Sequence, residues 1–330
     1  FEKVYNGVAA KARAGGGAKY KIFQWAAGIA REYAKVTQDN FKRTGTASAP
    51  AGLRTKHAVA DRLVYAKIRE AFGGRLRACV SGSAALAPEI GYFFAGAGIH
   101  ILEGYGLTES SAASFVNPGE AYRTGTVGKP LPGTEVRIAD DGEILLRGPG
   151  IMEGYHKLPE KTAEVLEADG WFHTGDIGTL DEDGYLRITG RKKEIIVTAG
   201  GKNVAPAVME DRIRAHALVA ECMVVGDGRP FVGALVTLDE EFLGRWCAEH
   251  GKPAGSTAVT LREDPELLAA IQDAIDDGNA AVSKAESVRK FRVLGAQFTE
   301  DSGHLTPSLK LKRNVVAKDY ADEIEAIYAK

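Results

Sequence analysis

Apolar positions recur at helical spacing over residues 1–13 and 19–36, where Ile22, Trp25, Ala26, Ile29 and Tyr33 share a face. Residues 44–52 are small and turn-forming. Residues 57–72 return to the amphipathic helical pattern, which Gly73-Gly74 ends. The period then shortens: residues 76–80 read as a buried strand, and Ser81-Gly82-Ser83-Ala84 as a turn. Residues 88–97 read as a helix opened by Pro88, and residues 99–102 as a second strand. Helix and strand alternating in this way predict an α/β fold with a parallel sheet covered by helices. Ligands of such sheets bind beyond the carboxyl ends of the strands, where residues 82–84 and 103–109 fall.

After Ala112 the texture changes to short β runs split by Gly and Pro, at residues 126–128, 135–139, 143–147 and 186–189. Asp140-Asp141-Gly142 and residues 181–184 read as hairpin turns. A small barrel or a second sheet is expected here. From Arg191 on, the pattern is that of a separate α+β unit. It has helices at residues 206–216, 240–250 and 265–282, strands at 219–225, 231–238 and 289–294, and a charged terminal helix. In residues 265–282, Leu267, Leu268, Ile271 and Ile275 lie on one face. The chain thus divides into residues 1–111, 112–190 and 191–330.

Composition narrows the function classes. The 330 residues suffice for two or three domains, and a net charge of −2 gives no reason to expect a nucleic-acid partner. The three cysteines, Cys79, Cys222 and Cys247, lie at neither disulfide nor metal-ligand spacing, so a reducing, cytoplasmic setting is expected. No apolar run reaches the ~20 residues of a membrane span; Glu89 interrupts the best one, residues 78–102. Peripheral membrane contact and homodimerisation stay open. The first residue is Phe1 with no signal-peptide pattern, and the absence of an initiator Met leads us to expect a fragment.

Three stretches carry candidate chemistry. In the first, Asp176 follows Thr174-Gly175, read as a tight turn that leaves its carboxylate able to accept hydrogen bonds. An Asp after Gly is commonly a turn former, but a carboxylate can also hold a vicinal diol such as a ribose. Downstream of it come Arg191-Lys192-Lys193-Glu194 and the turn Ala199-Gly200-Gly201, readable as solvated loop and hinge. The second stretch is Glu103-Gly104-Tyr105-Gly106-Leu107-Thr108-Glu109. A tyrosine between glycines can lie against a flat ring, Thr108 can donate to a phosphate, and Glu109 can offer a hard oxygen to Mg²⁺. A helix start with Thr108 as its cap is the equal alternative. The third stretch is Thr306-Pro307-Ser308-Leu309-Lys310 in a basic tail, which is ordinarily surface charge.

Taken together these stretches resemble one family. Gly170-Trp171-Phe172-His173-Thr174-Gly175-Asp176, then Gly184-Tyr185-Leu186-Arg187-Ile188-Thr189-Gly190-Arg191, then Ala199-Gly200-Gly201-Lys202-Asn203-Val204-Ala205-Pro206 are similar to the adenylate-forming enzymes, most of all the long-chain fatty acid–CoA ligases. The resemblance implies the C-terminal part of an acyl-CoA synthetase-like large domain, followed by a small mobile domain hinged near Lys193. It also implies site residues. Tyr105, within Glu103-Gly104-Tyr105-Gly106, would stack on adenine, and Gly82, Ser83 and Ala84 would line the adenine and acyl group. Asp176 and Arg191 would hold the ribose, Thr108 a phosphate, and Glu109 the Mg²⁺. Lys310 would neutralise developing charge, and Gly200-Gly201 would line the path of the CoA pantetheine. Many relatives have Asp where Lys193 stands and Gly where Leu309 stands.

The implied reaction activates a fatty acid with ATP to an acyl-adenylate and then transfers the acyl group to CoA. Transfer to a carrier protein is the alternative acceptor. The family's Ser/Thr/Gly-rich loop that wraps the β,γ-phosphates has no match in residues 1–104, where residues 14–19 are glycine-rich but lack hydroxyls. The resemblance therefore covers nearly the whole chain but only the C-terminal part of such an enzyme. Alone, the chain is expected to be a nucleotide-binding module without turnover.

Overall fold

The computed structural model describes residues 1–82, 86–307 and 309–329, in two compact units, Phe1–Thr189 and Gly190–Lys330. In the first unit, α1 (Glu2–Ala14) and the long α2 (Gly17–Thr44) precede α3 (Ala51–Ala60) and α4 (Ala66–Ala71), which a π-helical turn at Asp61–Tyr65 joins. The helix begins six residues earlier than its apolar pattern does, because Pro50 presets the backbone ahead of its first turn. The buried rings of Phe23 and Phe93 pack edge to face, and the Tyr65 hydroxyl donates to the Ala26 carbonyl at 2.6 Å.

The first sheet runs β1 (Ala78–Ser81), β2 (His100–Tyr105), β3 (Phe115–Val116), β4 (Lys129–Pro130), with α5 (Pro88–Gly96) between β1 and β2. β1 and β2 are parallel, with Ser81 opposite Glu103, as the alternation predicts. The rest corrects the expected parallel sheet: β3 and β4 join antiparallel, so the sheet is mixed. The chain reverses sharply after β2 through Ser111 and Ala112, both at positive φ, and returns along the same strand. Residues 126–128 form no strand. Asn117 accepts from Arg123 N–H at 2.9 Å and donates to the Thr126 carbonyl at 2.6 Å, while Val127 N–H and the Gly128 carbonyl each bond the backbone of Leu186 at 2.9 Å.

β1 is an edge strand, and the side chain of Val80 is 73% exposed on it. Ile22 and Trp25 on α2 and Val59 on α3 are also exposed. Among the described residues β1 has a strand neighbour on one side only, and such an edge, like exposed apolar side chains, promotes association. The purified 330-residue chain should therefore self-associate or bind a hydrophobic dye. A monodisperse, dye-silent monomer would contradict this.

The second sheet, β5 (Glu135–Ile138), β6 (Glu143–Arg147), β7 (Phe172–Leu180) and β8 (Leu186–Arg191), with the short α6 (Pro159–Ala163) between β6 and β7, is an open half-barrel rather than a closed one. Its inner face buries Phe115, Ile144, Leu146 and Leu186. β7 corrects a second expectation. The turn read at Thr174-Gly175 is the middle of a nine-residue strand, and Gly175 accommodates there a φ of 71° that a side chain would resist.

The second unit contains the short hairpin β9 (Ile196–Val197) and β10 (Asn203–Val204), then α7 (Pro206–Arg214). β11 (Val219–Val225), β12 (Val232–Leu238) and β13 (Val288–Val293) form its sheet, antiparallel then parallel. Between β12 and β13 lie α8 (Glu240–Glu249), α9 (Ala258–Leu261) and α10 (Pro265–Asn279). All seven residues of β12 are buried, because both faces of the sheet are covered. Val224, Ala234 and Val236 face Met209, Leu267, Ile271 and Ile275 of α7 and α10, while Met223, Val225 and Leu235 pack with Leu305, Val316 and Ile327. The expected terminal helix is two, α11 (Arg313–Asp319) and α12 (Ala321–Tyr328), which meet at Tyr320.

Candidate nucleotide site

In the first unit the end of β2 meets the middle of β7. The Tyr105 hydroxyl, on the last residue of β2, donates to Asp176 Oδ2 at 2.6 Å across 71 residues of sequence. Asp176 is only 5% exposed. Its N–H donates to Thr174 Oγ1 at 3.1 Å, and the Thr174 hydroxyl donates to the Ile144 carbonyl at 2.7 Å, so β6 fixes the strand beneath it. Gly106 carries no side chain for a plain reason: a Cβ there would lie 1.5 Å from the Ala112 carbonyl oxygen. That close approach brings the turn after β2 back against Tyr105.

Glu103 is buried, and its carboxylate accepts from Gly125 N–H at 3.2 Å and from Leu86 N–H at 3.4 Å. It thus ties the segments after β1 and before β4 to β2. Gly104 lies opposite Val116 on β3, and Gly82 lies beside the Gly104 carbonyl at the end of β1. Ser83 and Ala84 lie outside the described residues.

Thr108 and Glu109 sit in a single 3₁₀ turn, Thr108–Ser110, after β2. Thr108 is exposed and Glu109 half-buried. The Met152 N–H donates to the Glu109 carbonyl at 2.8 Å, and the Tyr155 hydroxyl donates to Glu109 Oε1 at 3.0 Å. Burial, and after it the Glu109 carboxylate, push the Tyr155 phenol up. Sequence reasoning missed Tyr155, because its partner Glu109 lies 46 positions away. Among the described residues no three His, Cys, Asp or Glu side chains converge as metal ligands. One carboxylate is too few for an all-protein divalent site, but it fits Mg²⁺ that arrives with nucleotide phosphates and keeps several waters.

A second group escaped the sequence. Glu143, 3% exposed on β6, accepts from Gly175 N–H at 2.9 Å and lies 3.1 Å from His173 Nδ1. His173 Nε2 is 2.8 Å from Glu167 Oε1. Burial by itself would lower the His173 pKa, but the hydrogen bonds and charges of Glu143 and Glu167 outweigh it and leave the imidazole raised. The strand that presents Asp176 is thus held from both sides of Gly175. Read as a strand residue, Glu143 showed no such role, because its partner lies 32 positions away.

Residues 30–156 match the AMP-binding enzyme family, and residues 193–330 match the C-terminal domain of AMP-binding enzymes. The chain belongs to the AMP-binding, adenylate-forming enzymes. It is similar to a long-chain-fatty-acid–CoA ligase of Mycobacterium bovis, at 52% identity over all of this chain and 53% of that protein. It therefore spans about half the length of that relative. Among solved structures, the adenylation domain of a carboxylate reductase from Mycobacterium chelonae superposes with a TM-score of 0.67 at 27% identity, over 92% of this chain and 46% of that one. An O-succinylbenzoate coenzyme A synthetase from Bacillus subtilis, solved with ATP and a magnesium ion, superposes with a TM-score of 0.54 at 25% identity, over 72% of this chain and 46% of that one.

The remaining candidates of this AMP-binding chain belong to the second unit. Arg191 ends β8 and is exposed, and exposed Lys193 follows in a 3₁₀ turn, Lys192–Glu194. Gly200 and Gly201 form the exposed tip of the β9–β10 hairpin, where Gly201 N–H donates to the Thr198 carbonyl at 2.8 Å. Lys310 is exposed on a loop closed by an antiparallel bridge between Leu305 and Leu311. Leu309 adopts φ 59°, the left-handed conformation that glycine takes readily. The replacement of glycine by leucine thus leaves the loop's backbone in a glycine-like state. Among the described residues, no helix is long and apolar enough to cross a membrane.

Proposed function

We propose that the full-length protein carrying this chain is a fatty acid–CoA ligase that works through an acyl-adenylate. The observation that carries the reading is the 2.6 Å contact between Tyr105 and Asp176, which joins the residue assigned to adenine with the residue assigned to ribose. The 52% identity to a long-chain-fatty-acid–CoA ligase supports the same reading. A free carboxylate is a poor electrophile, because its leaving group would be oxide. Its oxygen attacks the α-phosphorus of ATP, pyrophosphate leaves, and the acyl carbon gains AMP as a leaving group. The CoA thiol, losing its proton, then attacks that carbon and expels AMP, which yields the thioester.

The side chains contribute mainly position and charge. Tyr105 lies against the adenine, within the glycine-flanked Glu103–Gly106 stretch that brings the backbone close. Gly82, with Ser83 and Ala84, lines the adenine and the acyl group. Asp176 and Arg191 hold the ribose hydroxyls, and Thr108 donates to a phosphate. Glu109, oriented by Tyr155, holds Mg²⁺, which when bound offsets phosphate charge. Lys310 pairs with the carboxylate and α-phosphate in the first step. Rotation of the second unit about Lys193 then withdraws Lys310 and brings Gly200-Gly201 to the pantetheine path. A cytoplasmic location fits the three free thiols.

The deciding assay supplies the full-length protein with a long-chain fatty acid, ATP, Mg²⁺ and either CoA or a phosphopantetheinylated carrier. Acyl-CoA, AMP and pyrophosphate in equal amounts are expected. Acylation of the carrier alone would reassign the acceptor, and no AMP release with any fatty acid would reject the ligase.

A further inference from the structure

The loop that carries Lys310 is anchored at both bases by groups that no step above uses. Within it, Thr306 N–H donates to the Lys310 carbonyl at 2.8 Å, and Lys310 N–H donates to Thr306 Oγ1 at 3.0 Å. At one base the buried His304 lies between Ser302 Oγ, at 2.8 Å, and Asp319 Oδ2, at 3.0 Å. Lys312 N–H donates to the His304 carbonyl at 2.8 Å and ties the two arms together. At the other base stands Arg313, the first residue of α11. Its Nη1 donates to Glu210 Oε1 at 2.6 Å, and its Nη2 donates to the Val224 carbonyl. Glu210 is 8% exposed on α7 and accepts from Val224 N–H at 2.6 Å with the same oxygen. Arg313, Glu210 and Val224 therefore close a ring that joins the loop to α7 and β11.

We propose that the Arg313–Glu210 pair is a positioning device for Lys310, acting in adenylate formation without touching substrate. The inference rests on the role given to Lys310 above. Leu309 and Lys310 are exposed, so the loop tip makes no core contact of its own; its direction is set at its bases, where Leu305 and Leu311 pack on the core and His304 and Arg313 make the polar contacts. Only Leu311 and Lys312 separate Lys310 from Arg313, and a shift at Arg313 passes along that short arm to the lysine. Misplacement of a reacting group by about 1 Å can cost ~100-fold in rate. The stability of the unit has a separate source: Val316, fully buried, holds α11 to the core independently of Arg313.

The test uses the full-length protein and measures two rates separately. One is pyrophosphate release from fatty acid and ATP, and the other is thioester formation from supplied acyl-AMP and CoA. Arg313→Met removes the charge and keeps the stem. Glu210→Gln keeps an acceptor for Val224 N–H and removes the ionic partner. Each should lower the first rate by roughly 10–100-fold and leave the second close to that of the parent, with Arg313→Lys recovering part of the loss. Equal loss of both rates would mean that the pair only supports the fold, and an unchanged first rate would mean that it does not position Lys310; either overturns the proposal. Should Arg313→Met fail to fold, Glu210→Gln and Arg313→Lys decide on the same two rates. Lys310→Ala is measured alongside. If Lys310→Ala divides the two rates and the anchor variants do not, the positioning role alone is lost; if Lys310→Ala does not divide them, both readings fall.

Discussion

Lys310→Ala in the full-length protein is expected to abolish pyrophosphate release while leaving thioester formation from supplied acyl-AMP nearly intact. The reason is the location of charge in each step. In the first, two anions, a carboxylate and a triphosphate, must meet, and charge builds on the leaving pyrophosphate. A compact ammonium can pair with the carboxylate and the α-phosphate together. In the second, a thiol attacks an activated acyl carbon and the leaving group is AMP, so that cation is no longer needed at the same place. Gly200, in the β9–β10 turn, is proposed to serve the opposite step. A bulky residue at Gly200 should obstruct the thiol and spare pyrophosphate release. One rigid unit cannot present both segments to a single centre at once, so their effects should separate. If folded Lys310→Ala lost both activities equally, the alternating-domain account would be wrong.

Asp176→Ala should weaken ATP without changing which fatty acid is taken. The carboxylate is buried on β7 and already accepts the Tyr105 hydroxyl. Charge-assisted bonds from it to the ribose hydroxyls would be worth roughly 1.5–3 kcal/mol each, so the ATP KM should rise about tenfold to a hundredfold. Asp176→Asn keeps an acceptor for Tyr105 and loses the charge, so its KM should fall between those of the parent and the alanine variant. 2′,3′-Dideoxy-ATP should be a poor substrate for the parent and should discriminate little between the parent and Asp176→Ala. An unchanged ATP KM in the alanine variant, or equal use of the dideoxy nucleotide by the parent, would sink the ribose assignment.

Much of this was legible in the chain because it is local. The helical spacing of α2 and α10, the parallel pair β1 and β2 joined through α5, and the continuous apolar run of β12 follow from periodicity and burial alone. The family, too, was legible, since its motifs are contiguous stretches of sequence. Tertiary structure decided the rest wherever a residue's surroundings come from distant parts of the chain. Thr174-Gly175-Asp176 has the composition of a turn, yet pairing with β6 and the Glu143 carboxylate draws it into a strand. Asn117 captures the Thr126 carbonyl from nine positions away, while Val127 and Gly128 exchange backbone bonds with the distant Leu186. The reversal through Ser111 and Ala112 makes the first sheet mixed, which a helix–strand alternation cannot foretell. Tyr155 beside Glu109, and Glu210 beside Arg313, are separated by 46 and 103 positions. Side-chain types and local spacing carry chemistry, whereas the pairing of buried polar groups depends on which distant segments fold against each other. That is why the candidate ligands were visible in the sequence and the residues that hold them in place were not.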